Sequence, residues 1–359
     1  MGRSRYAAAV RLAILQAMKK HDQKLGCNAV LIGGLPVEGR AILAPMSGVT
    51  DHGMRRIARR FGAALVVSEM VAAHDFARGD AESRLRAEGE GVEPHVVQIA
   101  GCDPHWMGEA ARLAEASGAA MIDINMGCPA RKVTGGLAGS ALMREPDLAM
   151  ALVRATVAAV KIPVTLKMRL GWDHAALNAP DLAVRAEAEG VAMITVHGRT
   201  RQQFYKGRAD WAAIRAVRER IAIPLVANGD CASPADAVEM LRQSGADAVM
   251  IGRAAVGRPW LVGDIAHALA YGAPRDPLPS EVRLSAALEH YETLLSAFGV
   301  AQGLRHARKH LAAYAEQAAA QAGARLDAAL RLRLVTSDDP AEARRLLATA
   351  FMPGRAEAA

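Results

Sequence analysis

Cys128 lies in Asn125-Met126-Gly127-Cys128-Pro129, just after a short apolar run, where a cysteine buried only for packing is less expected than inside a strand. Its thiol could serve as a nucleophile, an acid or a small apolar filler, and no histidine nearby in sequence decides among them. Lys167, within Thr165-Leu-Lys-Met-Arg169, is costly to bury unless it meets negative charge. The N1/O2 edge of a reduced flavin supplies such charge, and a Schiff-base lysine is the competing reading. Gln98 adds a paired donor and acceptor suited to a flavin N3/O4 edge. Glycine-bearing segments at Asn228-Gly229-Asp230 and Ile251-Gly252-Arg253 have the form of a phosphate cradle, in which backbone N–H groups approach an anion and a guanidinium adds charge. Explaining these residues together favours flavin over the Schiff base.

The elements that must hold them form an alternating series. Short β-branched or apolar runs predict strands at Ala41–Met46, Ala64–Ser68, His95–Ile99, Met121–Asn125, Val164–Met168, Ala192–His197, Leu225–Asn228 and Ala248–Ile251. Helical periodicity falls between them, at Gly53–Phe61, Pro104–Ser117, Pro146–Val160, Ala183–Glu189, Trp211–Arg218 and Pro234–Ser244. Eight strands alternating with helices predict an α/β fold, a (β/α)8 TIM barrel, whose active site forms where the strands end. The runner-up is a doubly wound open sheet, which the missing Gly-x-Gly-x-x-Gly after the first strand disfavours. Polar residues close nearly every run: Ser47 after Pro45-Met46, Ser68-Glu69, Gln98, Asp123-Ile124-Asn125, Lys167, His197, Asn228 and Arg253. Any one could be a cap or a satisfied core residue; their joint placement on one rim points to a site.

The 359 residues exceed the ~250 of a typical barrel. The division expected is a basic N-terminal extension over residues 1–30, a barrel over 31–270, and a small helical domain over 280–352 built from Glu281–Phe298, Gly303–Ala322 and Pro340–Phe351. The extension superficially resembles a targeting peptide, but a frayed helix or an early start with Met18 as the true beginning is the plainer expectation. A formal net charge of +7 favours a polyanionic partner, while only 4% aromatic residues leave little for base stacking, so RNA would be held through phosphates and shape. Four scattered cysteines with no Cys-x-x-Cys pair argue against a zinc site and a disulfide framework, so no metal and a cytoplasmic location are expected. No apolar run reaches membrane-spanning length.

The same residues carry a family resemblance. Leu43-Ala-Pro-Met-Ser-Gly-Val-Thr-Asp51, Asp123-Ile-Asn-Met-Gly-Cys-Pro-Ala-Arg-Lys-Val133, Thr195-Val-His-Gly-Arg-Thr-Arg201, Val226-Ala-Asn-Gly-Asp230 and Val249-Met-Ile-Gly-Arg253 resemble the tRNA-dihydrouridine synthases, especially their bacterial B-type branch. The resemblance runs from about Leu31 through the C-terminal helices. It implies FMN as cofactor, NADPH as reductant, and reduction of the C5–C6 bond of D-loop uridines in tRNA. Pro45, Met46, Ser47, Gln98, Lys167, His197, Asn228, Gly229, Asp230, Gly252 and Arg253 would hold FMN, and Cys128 would donate the proton. Asn125 would meet the uracil edge, while Arg131, Lys132, Arg199, Arg201, Arg305, Arg308 and Lys309 are candidates for RNA phosphates. The chain departs from the branch at the N-terminal extension and at Ala313, where tryptophan is common. A flavin barrel reducing a small molecule, of dihydroorotate dehydrogenase or ene-reductase type, and a non-catalytic RNA-binding barrel are the alternatives.

Overall fold

Each expected apolar run becomes a parallel strand, and the eight close into a ring. The structure, a computed structural model, describes residues 29–130 and 137–352. Its strands are β1 (Ala29–Ile32), β2 (Leu35–Glu38), β3 (Ala41–Leu43), β4 (Leu65–Val67), β5 (Val71–Ala72), β6 (His95–Ala100), β7 (Met121–Met126), β8 (Val164–Arg169), β9 (Met193–His197), β10 (Leu225–Asn228) and β11 (Ala248–Ile251). Parallel pairing runs β3-β4-β6-β7-β8-β9-β10-β11 and returns to β3, making a (β/α)8 barrel. The first barrel strand ends three residues earlier than expected, because Met46 starts a tight turn in which Val49 and Thr50 donate to its carbonyl.

The helices stand where the sequence punctuates them. Asp51, Asp103 and Ser233 cap Met54, His105 and Asp236 N–H, and Pro104, Pro146 and Pro234 occupy first helical positions. The expected helix at Ala183–Glu189 starts earlier, at Ala179, on Pro180; Trp211–Arg218 divides into a 3-10 turn and a short helix. Leu261–Tyr271 and Ala328–Thr336 are further helices that periodicity did not single out.

Alternation along the strands sorts the barrel interior into two layers. Ile42, Leu65, Val96, Met121, Met193, Val226 and Ala248 form an apolar lower layer together with Ile32 and Val37 of the β1–β2 hairpin. The hairpin, which the sequence reading missed, therefore closes the bottom. At its turn, Gly33 has φ +54, and a Cβ there would come within 2.9 Å of Pro163. Outward-facing strand residues pack against the helices in a separate, larger core.

Two compact units result, one of Ala29–Ala255 with Pro259–Pro274, the other of Val256–Arg258 with the residues from Arg275. In the second, Ser280–Phe298 and Val300–Gln321 approach closely: a Cβ on Gly303 would lie 2.6 Å from Leu294 O. Ala313 lies against Gly257, whose Cβ would be 2.9 Å from the alanine Cβ. Among the described residues, no helix is long and apolar enough to cross a membrane.

Candidate active site

The upper interior layer is polar, and strand register dictates the neighbours. Gln98 lies beside Asp123, Asn125 beside Lys167, and His197 between Arg169 and Asn228. Thr165 Oγ1 donates to one Asp123 oxygen at 2.6 Å and Gln98 Nε2 to the other at 2.7 Å. With its amide nitrogen facing Asp123, Gln98 turns Oε1 to accept from Asn125 Nδ2 at 2.9 Å. Asn125 Oδ1 then accepts from Gly127 N and from Cys128 N, at 3.2 and 3.0 Å. A buried carboxylate thus fixes two amide orientations and, through them, the Cys128 turn. Burial raises the Asp123 pKa, against the hydrogen bonds from Thr165 and Gln98 and the charge of Lys167.

Lys167 Nζ donates to Asn228 Oδ1 at 2.9 Å, and Asn228 Nδ2 in turn donates to Met250 O. Burial, then the neighbouring Arg169 charge, brings the lysine pKa down to about 8. His197 is held well below its ordinary value by burial and then by Lys167, Arg169, Arg199 and Arg253. Its Nε2 lies 3.3 Å from Arg199 Nη1, a guanidinium nitrogen that can only donate, so the proton of the neutral ring belongs on Nδ1.

Past β10 and β11 the backbone offers an anion cradle. Asp230 has φ +57 and Gly229 φ +121, and among the described residues the N–H groups of Gly229, Asp230 and Gly252 find no acceptor. Arg253 reaches over them, 3.3 Å from Asp230 Oδ1, with its guanidinium exposed. A Cβ on Gly252 would stand 3.7 Å from Met46 Sδ, which joins this cradle to the Pro45-Met46-Ser47 turn.

The structure brings Pro45, Met46, Gln98, Asn125, Cys128, Lys167, His197, Asn228, Gly229, Asp230, Gly252 and Arg253 to one barrel mouth, with Ser47 exposed beside them. Arg199 is buried, spending its guanidinium on Lys206 O, Gly207 O and Asp230 Oδ2, the last at 2.5 Å. Arg201 stacks on Trp172. Arg305 and Lys309 are exposed in the helical unit, where Arg308 pairs with Asp338 at 2.9 Å. Arg131 and Lys132 lie outside the described residues.

Arg169 had no role in the sequence reading, yet it donates to Gly127 O at 2.7 Å and to Thr200 O and Phe204 O at 2.9 Å, tying the Cys128 turn to the loop after β9. Burial lowers its pKa to about 10. Glu69 was named only as a strand end; it is buried, accepts from Gly48 N, and is pushed up in pKa first by burial. The available signal was Thr165, Lys167 and Arg169 recurring every second residue on one strand, a polar stripe aimed into the barrel.

Fold and mouth together define a (β/α)8 barrel whose mouth is lined by buried polar and ionisable side chains. The family model described as dihydrouridine synthase (Dus) matches residues 42–347. A probable tRNA-dihydrouridine synthase of Rhizobium leguminosarum bv. phaseoli is 55% identical over 309 residues, 86% of this chain and 94% of its own length. One from Rhodobacter capsulatus is 50% identical, covering 90% of this chain and 98% of its own. A tRNA-dihydrouridine synthase B of Xanthomonas campestris is 48% identical over 79% of this chain and 86% of its own. The chain belongs to the tRNA-dihydrouridine synthase family of oxidoreductases. Histamine dehydrogenase from Rhizobium sp. 4-9 shares the barrel, with TM-score 0.54, 15% identity and coverage of 69% of this chain and 48% of that one.

Proposed function

We propose that this chain reduces the C5–C6 bond of D-loop uridines in cytoplasmic tRNA, using FMN and NADPH, with Cys128 as the proton donor. The observation that carries the reading is the single mouth at which the anion cradle, the buried Lys167 cation and the Cys128 turn meet. The cradle fits the FMN phosphate: three N–H groups without acceptors among the described residues, with Arg253 beside them. Lys167 fits the electron-rich edge of the ring, since a neutral amide is its only hydrogen-bond partner among the described residues. Gln98 keeps one N–H, and His197 an Nδ1–H, for acceptors of the ring system.

When bound, FMN supplies the hydride for uracil C6 and is recharged by NADPH. The remaining work belongs to side chains. Adding hydride at C6 places negative charge on the uracil carbonyl side and leaves C5 needing a proton. Cys128 Sγ gives that proton and regains it from water, its turn clamped by Asn125 on the N–H side, Ser140 on the carbonyl, and Arg169 one residue earlier. Lys167 and Arg169 lie within electrostatic reach of the thiolate left behind. Asn125 retains one Nδ2–H, which suits a uracil carbonyl.

The base must leave its stack to reach this mouth, at a cost of a few kcal/mol that phosphate contacts offset. Arg131, Lys132, Arg201, Arg305, Arg308 and Lys309 are assigned to those contacts, while Arg199 is assigned to holding the Asp230 loop. Incubating the purified protein with NADPH and tRNA from a strain lacking dihydrouridine tests the reading. Yellow protein forming dihydrouridine at defined positions supports it; activity on free orotate or an enone without activity on tRNA would overturn it, and colourless protein would favour a non-catalytic binder.

A further inference from the structure

Three rim loops converge on an indole that the chemistry at Cys128 does not use. Trp172 follows β8, Arg144 ends the 3-10 turn Gly139–Arg144 that follows β7, and Arg201 follows β9. The Arg144 guanidinium lies 3.7 Å from the Trp172 ring centroid and that of Arg201 4.8 Å. Backbone bonds hold the loops in register: Arg201 N donates to Gly171 O at 3.0 Å and Gln202 N to Trp172 O at 2.9 Å.

Two cations share one ring, and among the described residues neither guanidinium has a carboxylate or other acceptor within hydrogen-bond distance; the Arg201 Nε is buried without a partner. Asp173, the acidic residue of the same loop, is engaged with Ala175 N and Gln202 Nε2 instead. Stacking satisfies the faces of the guanidiniums and leaves their N–H edges to an acceptor with several oxygens. Both charges lie against one ring, and an anion that meets the two N–H edges relieves their mutual repulsion.

The geometry points to Arg144, Trp172 and Arg201 as a clamp for one phosphodiester of the substrate RNA. Arg144 is exposed and Trp172 half-buried, so the clamp lies on the outer rim, where a strand crosses the mouth, rather than within it. The turn that ends in Arg144 also holds Cys128: Ser140 Oγ and N both donate to the Cys128 carbonyl, at 2.9 and 3.0 Å. Seating a phosphate in the clamp therefore sets the strand in register with the proton donor. The assignment rests on the RNA-reductase reading, and the two fail separately.

The test measures tRNA affinity by fluorescence anisotropy between low and moderate salt, in the full chain loaded with its flavin. Arg144→Ala and Arg201→Ala each lose about tenfold in affinity at low salt, as expected for one charge-assisted contact. The dependence of log K on log salt becomes shallower by about one unit in the double variant. Arg144→Lys and Arg201→Lys keep the salt slope and recover part of the affinity, which a merely structural role would not produce. A double alanine variant with wild-type affinity and slope overturns the clamp, as does an effect confined to the KM for NADPH, which would assign the phosphate to the dinucleotide. Failure of the wild-type protein to bind tRNA at all overturns the RNA reading instead.

Discussion

Lys167 is buried against a neutral amide, and its pKa of about 8 lies below the ordinary lysine value of 10.5. Between those two pH values the unfolded chain binds more protons at this residue than the folded one, so the contribution of Lys167 to the stability of flavin-free protein rises with pH across that window. The rise amounts to about 3 kcal/mol, and below pH 8 it is a standing cost that an anionic ligand relieves. Lys167→Met should remove this rise. Denaturant titrations of flavin-free protein at pH 7 and pH 10 measure it, and parallel curves for both proteins would show that another group titrates. Cys128→Ala belongs to the same scale: flavin absorbance is retained while dihydrouridine formation falls by about a hundredfold or more, the range of a lost general acid. Loss of the flavin itself would make Cys128 structural. Both residues were legible because each breaks or closes an apolar run. Asp123 was named as a strand end, but its part in orienting Gln98 and Asn125 was not legible, because that hydrogen-bonded chain joins three strands through side chains distant in sequence.

Among the elements, the barrel strands were legible because each is a compact apolar run punctuated by turn residues; β10 and β11 match their expected limits residue for residue. The β1–β2 hairpin was not, since Leu35-Pro-Val-Glu38 holds a proline that reads as loop and the expected barrel boundary cut through β1. The hairpin does what a plug must do, bringing Ile32 and Val37 into the apolar layer below the polar one. Leu261–Tyr271 was obscured because its apolar residues surround much of the helix rather than marking one stripe. Closure at the bottom makes Gly33 sensitive: Gly33→Ala adds a left-handed alanine and a 2.9 Å approach to Pro163. The expected loss is about 2 kcal/mol of stability. Thermal unfolding checks this; an unchanged Tm would mean that the hairpin turn moves away from Pro163 freely.

At the scale of the whole molecule, a net charge of +7 is carried on a chain of two compact units. Composition indicated a polyanion, but which cations remain available depends on the pairing each has in the fold. In the helical unit Arg305 and Lys309 are exposed on Val300–Gln321, while Arg308 is committed to Asp338. Reversing charge at the first two should raise the KM for tRNA at least about tenfold at low salt, with kcat little changed, because phosphate contacts position the substrate without touching the reacting base. Arg308→Ala should act more weakly, since it also releases Asp338. Steady-state kinetics at two ionic strengths separates the cases: the Arg305→Glu/Lys309→Glu defect shrinks as salt rises, because salt weakens the wild-type contacts and screens the new repulsion. A kcat defect independent of salt would instead place these side chains in the packing of the helical unit, and the tRNA would then be held by the barrel rim alone.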